Sequence, residues 1–78
     1  MKLSAEQLRA LRLLDDAGPR GATETLLAAH GFAVSLLVGL VRDGLATATP
    51  EMVPAGGQTI EVTRVRITGT GRDALDLA

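Results

Sequence analysis

The sequence predicts a small α+β domain, mainly α, in which three helices are followed by a β-hairpin and a short C-terminal helix. Three observations predict it. Apolar residues recur at helical spacing from Leu8 onward, the period shifts towards two after Gly44, and Gly56-Gly57 separates two β-rich segments. Seventy-eight residues fit one domain covering positions 1–78, because so short a chain supports a single modest core.

The first helix runs from Ser4 to Ala17. Ser4 as N-cap and Gln7 three residues on form the S-x-x-Q capping box, which satisfies two otherwise orphaned amides. Leu3 and Leu8 are spaced as a hydrophobic staple. Leu8, Leu11 and Leu14, with Leu13 beside them, make the apolar stripe, and Glu6, Arg9, Arg12, Asp15 and Asp16 fall mostly opposite. Gly18 and Pro19 stop the helix. After the loop GPRGA, Thr23 caps a short second helix from Glu24 to about His30, with Leu26 and Leu27 facing inward and Gly31 ending it.

Phe32 to Asp43, FAVSLLVGLVRD, is the third helix. A Val-rich run can also be a strand, but its length, the bounding Gly31 and Gly44, and charges confined to Arg42 and Asp43 decide for helix. Leu45 to Val53 and Thr59 to Thr68 then form the hairpin strands around PAGGQ, where Gly56 and Gly57 supply the positive φ of a tight turn. In the second strand Thr63, Val65 and Ile67 share the core face; Val62, Arg64 and Arg66 share the solvent face. Thr68 or Thr70 caps a final turn or two of helix through GRDALDL.

Composition narrows the function. Hydrophobic residues are 46% of the chain, with Phe32 the single aromatic, so the core is built from Leu, Val, Ile and Ala. Cysteine is absent and there is one histidine, which leaves no disulfide framework, no thiolate nucleophile and no metal centre, and no cofactor is implied. No trio of Ser, His and acid can be drawn, and an enzyme is not expected. Neither a secretory signal nor an apolar run of membrane-spanning length is present, so a soluble, cytoplasmic protein is expected. Eight basic against nine acidic residues give a net charge of -1, and any attraction to nucleic acid must therefore be local. Seven of the eight basic residues are Arg; that suits phosphate binding, although a GC-rich coding sequence produces the same bias.

Leu36, Leu37, Leu40, Gly44 and Leu45 at the end of the third helix, the hairpin, and Ile67, Thr68, Gly71, Arg72, Ala74 and Leu75 after it follow one another in a familiar order. This pattern resembles the winged helix-turn-helix domains of bacterial transcriptional regulators of the MarR and PadR families, over residues 4 to 77. The resemblance implies duplex DNA binding in transcriptional control, with the third helix in the major groove and the hairpin wing on the flanking backbone. Carried over by position, the groove-facing residues are Phe32, Val34, Ser35, Val38 and Val41. Only Ser35 among them can hydrogen-bond a base edge, where a good bidentate pair supplies roughly 1–3 kcal/mol of discrimination.

The DNA-binding candidates are accordingly Ser35, Arg42, Arg64, Arg66, Arg72 and Arg20, with Arg64 and Arg66 straddling phosphates from one face of the wing. On the other reading those arginines form a charged solvent face that guards an edge hairpin. The alternative function is a protein-interaction or homodimerisation module without DNA, whose contact residues are Phe32, Val34, Val38 and Val41. His30 is a candidate pH-sensitive group at a helix end or simply a cap. Gly69-Thr-Gly71-Arg-Asp-Ala74 superficially matches a dinucleotide fingerprint but has no second parallel strand after it.

Overall fold

The computed structural model describes residues 2–77. Its first helix, α1 (Ala5–Asp16), begins where the capping box places it. The Gln7 amide donates to Ser4 Oγ at 3.1 Å, and the Ser4 amide donates to Gln7 Oε1 at 2.8 Å. Leu11 and Leu14 are fully buried, as is Ala10 between them and the preceding turn. A 3-10 turn, Gly18–Arg20, carries Pro19 in its second position and leads the chain out.

Ala22, the last residue of the expected loop, and the helix-capping Thr23 form a strand, β1 (Ala22–Thr23), which pairs antiparallel with the distant β3 (Gln58–Ile67), Ala22 opposite Val65 and Thr23 opposite Arg64. Gly21 makes the approach possible. Its φ is +66°, and a Cβ there would collide with the Val65 carbonyl oxygen and lie 2.9 Å from Arg66 Cγ, so no side chain fits.

Helix α2 (Glu24–Ala29) is capped by Thr23, whose Oγ1 accepts from the Leu26 amide at 3.2 Å. Helix α3 (Val34–Arg42) starts two residues later than the sequence suggests, with Ala33 as an N-cap that offers no side-chain acceptor. Gly31, at φ +89°, turns the chain, and the Phe32 amide donates to the Leu27 carbonyl at 3.1 Å. Phe32 thereby ends the α2 segment instead of opening α3. Its ring points into the core.

Strands β2 (Ala46–Ala55) and β3 are joined by Gly56-Gly57, at φ +59° and +83°, the signature of a type I′ two-residue turn. The sheet is antiparallel with order β1-β3-β2. Helix α4 (Gly69–Leu77) follows, capped by Thr68, whose Oγ1 accepts from the Gly71 amide at 3.0 Å.

The described residues thus form a small α+β domain of four α-helices and a three-stranded sheet, an arrangement compatible with the winged-helix expectation. Leu11, Leu14, Leu27, Phe32, Leu40, Leu45, Val65 and Ile67 form one core in which α1, α2 and α3 meet the body end of the hairpin. The hairpin's far end projects beyond that core and stretches the molecule to 44 Å, against 21 and 20 Å across.

Gly71 tests the packing of α4. A Cβ there would strike the Leu45 carbonyl oxygen and stand 2.8 Å from Ile67 Cγ1. We expect Gly71→Ala to lower stability by about 2–3 kcal/mol, read as a shift in the urea midpoint at unchanged slope; a shift smaller than that of an exposed Gly69→Ala control would refute the close approach.

Candidate interaction surfaces

Helix α3 turns Leu37 and Leu40 inward and leaves Val34, Val38 and Val41, spaced four and three residues apart, on its outer face. They are 56%, 57% and 37% exposed. Ser35 and Arg42 are also exposed on this helix. Beside the valines runs an apolar groove of about 340 Å³ whose floor is Leu37 and the inner sheet residues Ala48, Thr63 and Val65, with Glu24 and Arg42 among its lining. Of the candidate interface residues, the structure brings Val34, Val38 and Val41 together. Phe32 does not join them: it is 6% exposed, because α3 starts after it and the Gly31 turn has already directed its ring inward. The Arg9 guanidinium lies over that ring, 5.5 Å from its centre.

The wing arginines occupy the other side of the sheet. Val65 faces inward over the core, so its neighbours Arg64 and Arg66 project from the outer face. Expected on a free solvent face, Arg64 has only 14% of its side chain exposed. Its Nε donates to Glu51 Oε2 at 2.6 Å and its Nη1 to the Arg20 carbonyl at 3.4 Å. Arg66 Nη2 stands 4.0 Å from the same Glu51 oxygen. The β2–β3 register explains the cluster. Glu51 is paired with Val62, which places Arg64 on its diagonal and on the same face.

The remaining candidates are scattered. Arg72 Nε donates to Asp15 Oδ1 at 3.1 Å and ties α4 to α1. Arg42, with 77% of its side chain exposed, has Asp43 at 4.0 Å. Arg20 reaches the outer face through the 3-10 turn, where its charge acts on Glu51. Neither Arg64 nor Arg66 therefore shares a surface with the exposed face of α3.

Sequence reasoning missed Glu51, although the signal was present. A two-residue turn at Gly56-Gly57 fixes the register, and the register puts Glu51 across from the arginines. His30 ends α2 by donating its backbone amide to that helix's last carbonyls and is itself exposed. Gly69 and Gly71 lie in the first turn of α4. Among the described residues, no helix is long and apolar enough to cross a membrane, and no group of three potential metal ligands is assembled. Comparison with known proteins finds no matching family model, curated protein or solved structure.

The hydrogen bond from Arg64, reinforced by the charges of Arg64, Arg66 and Arg20, holds the Glu51 carboxyl below its ordinary 4.5 despite partial desolvation, which acts in the opposite direction. A carboxyl depressed by folding contributes stability that is complete above the unfolded value and is lost as pH falls through the folded one. Glu51→Gln should therefore lower the urea midpoint near pH 7 and narrow the difference between pH 7 and about pH 3. An equal difference in the two proteins would show that the pair adds nothing to stability.

Proposed function

We propose that this chain is a winged-helix module that binds another protein through the outer face of α3, and that it works by docking, not by catalysis. The observation that carries the proposal is the contiguous exposure of Val34, Val38 and Val41 beside an apolar groove. Each fully buried valine is worth about 1.5 kcal/mol or more, so covering the exposed parts of three supplies roughly 2 kcal/mol before the costs of association. Among Val34, Ser35, Val38 and Val41 only Ser35 could read a base by a hydrogen bond, and the one exposed cation of the helix, Arg42, sits at its last residue. A helix laid in a major groove would bring valines to the base edges, and those touch little beyond a thymine methyl.

A second reading, duplex DNA binding of the transcriptional-regulator type, is favoured by one observation: Arg20, Arg64 and Arg66 converge on the outer sheet face around a single Glu51. That cluster carries an excess of two positive charges, counting three guanidinium groups against one carboxylate. Two is small beside the six to ten phosphate contacts of strong binders, and on this reading Arg42 and Arg72 would add contacts from other surfaces.

One pair of measurements separates the readings. Under the docking reading, Val38→Asp leaves the urea midpoint within about 0.5 kcal/mol of wild type, as an exposed site should, and abolishes retention of a protein that the wild-type chain captures from its own cell extract. Random-sequence duplex DNA meanwhile shows no binding at about 50 mM salt. Binding that weakens steeply by 200 mM, with a salt slope reduced by about two contacts in Arg64→Ala/Arg66→Ala, would instead establish the DNA reading. Identical protein capture by wild type and Val38→Asp would sink the docking reading.

A further inference from the structure

The two long edges of the hairpin are unlike. Thr68 donates its amide to the Leu45 carbonyl at 3.1 Å, and the type I′ turn closes on the Ala55–Gln58 pair. Both mark odd-numbered residues of β2 and even-numbered residues of β3 as the ones that exchange hydrogen bonds. The even residues of β2 therefore point their backbone groups outward, and two of them are Pro50 and Pro54. Proline has no N–H to offer. This edge lacks two of its outward donors and resists a further strand.

On β3 the outward residues are Thr59, Glu61, Thr63, Val65 and Ile67. Strand β1 covers Val65 and stops at Thr23, opposite Arg64, where the chain turns into α2. Thr59, Glu61 and Thr63 make no backbone hydrogen bond outside the β2–β3 ladder among the described residues. The open stretch from Gln58 to Thr63 is about 20 Å long. A row of unpaired amides and carbonyls on an extended backbone selects another extended backbone.

We propose that the open edge of β3 pairs with the same edge of a second copy of this chain, antiparallel about a two-fold axis through Ile60. Three features of the edge select this occupant and this register. Ile60, 43% exposed on the outer face, would meet Ile60 of the second copy on the axis. Thr59 and Glu61, both outward-pointing, would exchange hydrogen bonds with Glu61 and Thr59 of the second copy. The register centred on Glu61 would instead oppose two carboxylates, which is unfavourable. The overlap also fits in length: the second copy's side-chain-free Gly56-Gly57 turn would arrive opposite Thr63, where β1 and Glu24 begin. Because β3 runs from the hairpin tip towards the body, antiparallel pairing holds the two bodies at opposite ends of a continuous six-stranded sheet.

This interface shares no residue with the exposed valines of α3, meets the groove beside them only at its end, Thr63, and stands or falls separately from the α3 reading. The overlap is short, so association should be weak and appear in sedimentation equilibrium between about 10 µM and 1 mM chain. We expect a dimer in that range, with the amides of Thr59 and Glu61 gaining hydrogen-exchange protection as concentration rises. Ile60→Lys should abolish it. Glu61→Pro should also abolish it, leaving the β2–β3 ladder intact because residue 61 points outward, and wild-type-like far-ultraviolet circular dichroism checks that the fold survives in both variants. Thr59→Arg should tighten the dimer several-fold by setting a guanidinium opposite Glu61. Val38→Asp should leave it unchanged. A chain that stays monomeric at 1 mM overturns the proposal, as does a dimer that survives Ile60→Lys or is lost in Val38→Asp, or one that Thr59→Arg does not strengthen.

Discussion

Thr68 is where the fold is closed. Its amide donates to the Leu45 carbonyl at 3.1 Å, its hydroxyl donates to the Gly44 carbonyl at 2.7 Å, and the same oxygen accepts from the Gly71 amide at 3.0 Å. One residue thereby satisfies backbone groups from the end of α3, the start of β2 and the first turn of α4, groups whose burial without partners would each cost about 1–3 kcal/mol. Gly71 completes the junction, because only a residue without a Cβ lets α4 lie against the Leu45 carbonyl. Leu45, Ala46 and Ile67 are buried around this point, and the hairpin is anchored at both of its body-end strands.

Anchoring at Thr68 and turning at Gly56-Gly57 leave the hairpin one register. The ladder then pairs Ala46 with Ile67 and, at the far end, Ala55 with Gln58, with no bulge between. A slip of one residue would send Val65 and Ile67 to solvent and bring Arg64 and Arg66 over the core, which the apolar residues of α1 and α2 could not accommodate. The register also settles where charge can act. Arginines held on the outer face stand across the sheet from α3, and Glu51, placed among them by the pairing, neutralises part of their field and draws Arg64 down onto the sheet. Sheet geometry thus separates the apolar surface of α3 from the cationic surface of the wing.

Legibility followed the range of the interaction. The Ser4–Gln7 box, the Thr23 cap and the Gly56-Gly57 turn were readable because each closes a hydrogen bond or a dihedral requirement within a few residues. The alternation of Val65 and Ile67 with Arg64 and Arg66 gave the two sheet faces correctly. Strand β1 was not readable, since two residues carry no period and their partner strand lies far along the chain. Phe32 was misplaced because an apolar residue just before an apolar helix looks like its first turn, whereas the Leu27 carbonyl and the Gly31 turn assign it to the preceding segment. Val34, Val38 and Val41 were picked out through the winged-helix resemblance, and their exposure became visible only with the packing of α3. The ion pair that withdraws Arg64 from solvent needed the register to be carried through to Glu51.

The distribution of aliphatic residues argues that the α3 face was not shaped by folding alone. A domain of this length has little apolar surface to spare, yet three valines sit at i, i+4 and i+7 on the outside of α3 while Ala10, Ala22 and Ala46 fill positions inside the core. Isolated exposed apolar residues need no explanation. A row of them on one helix, continuous with a groove floored by Leu37 and Val65, does. Valine is also a poorer helix former than alanine or the long polar residues that ordinarily cover an outer helix face, so the chain bears a propensity cost at the same positions where it forgoes burial. Both penalties vanish as an objection if the face is covered in the working state, and α3 can carry them because Leu37, Leu40 and the Thr68 junction hold the helix in place from the other side.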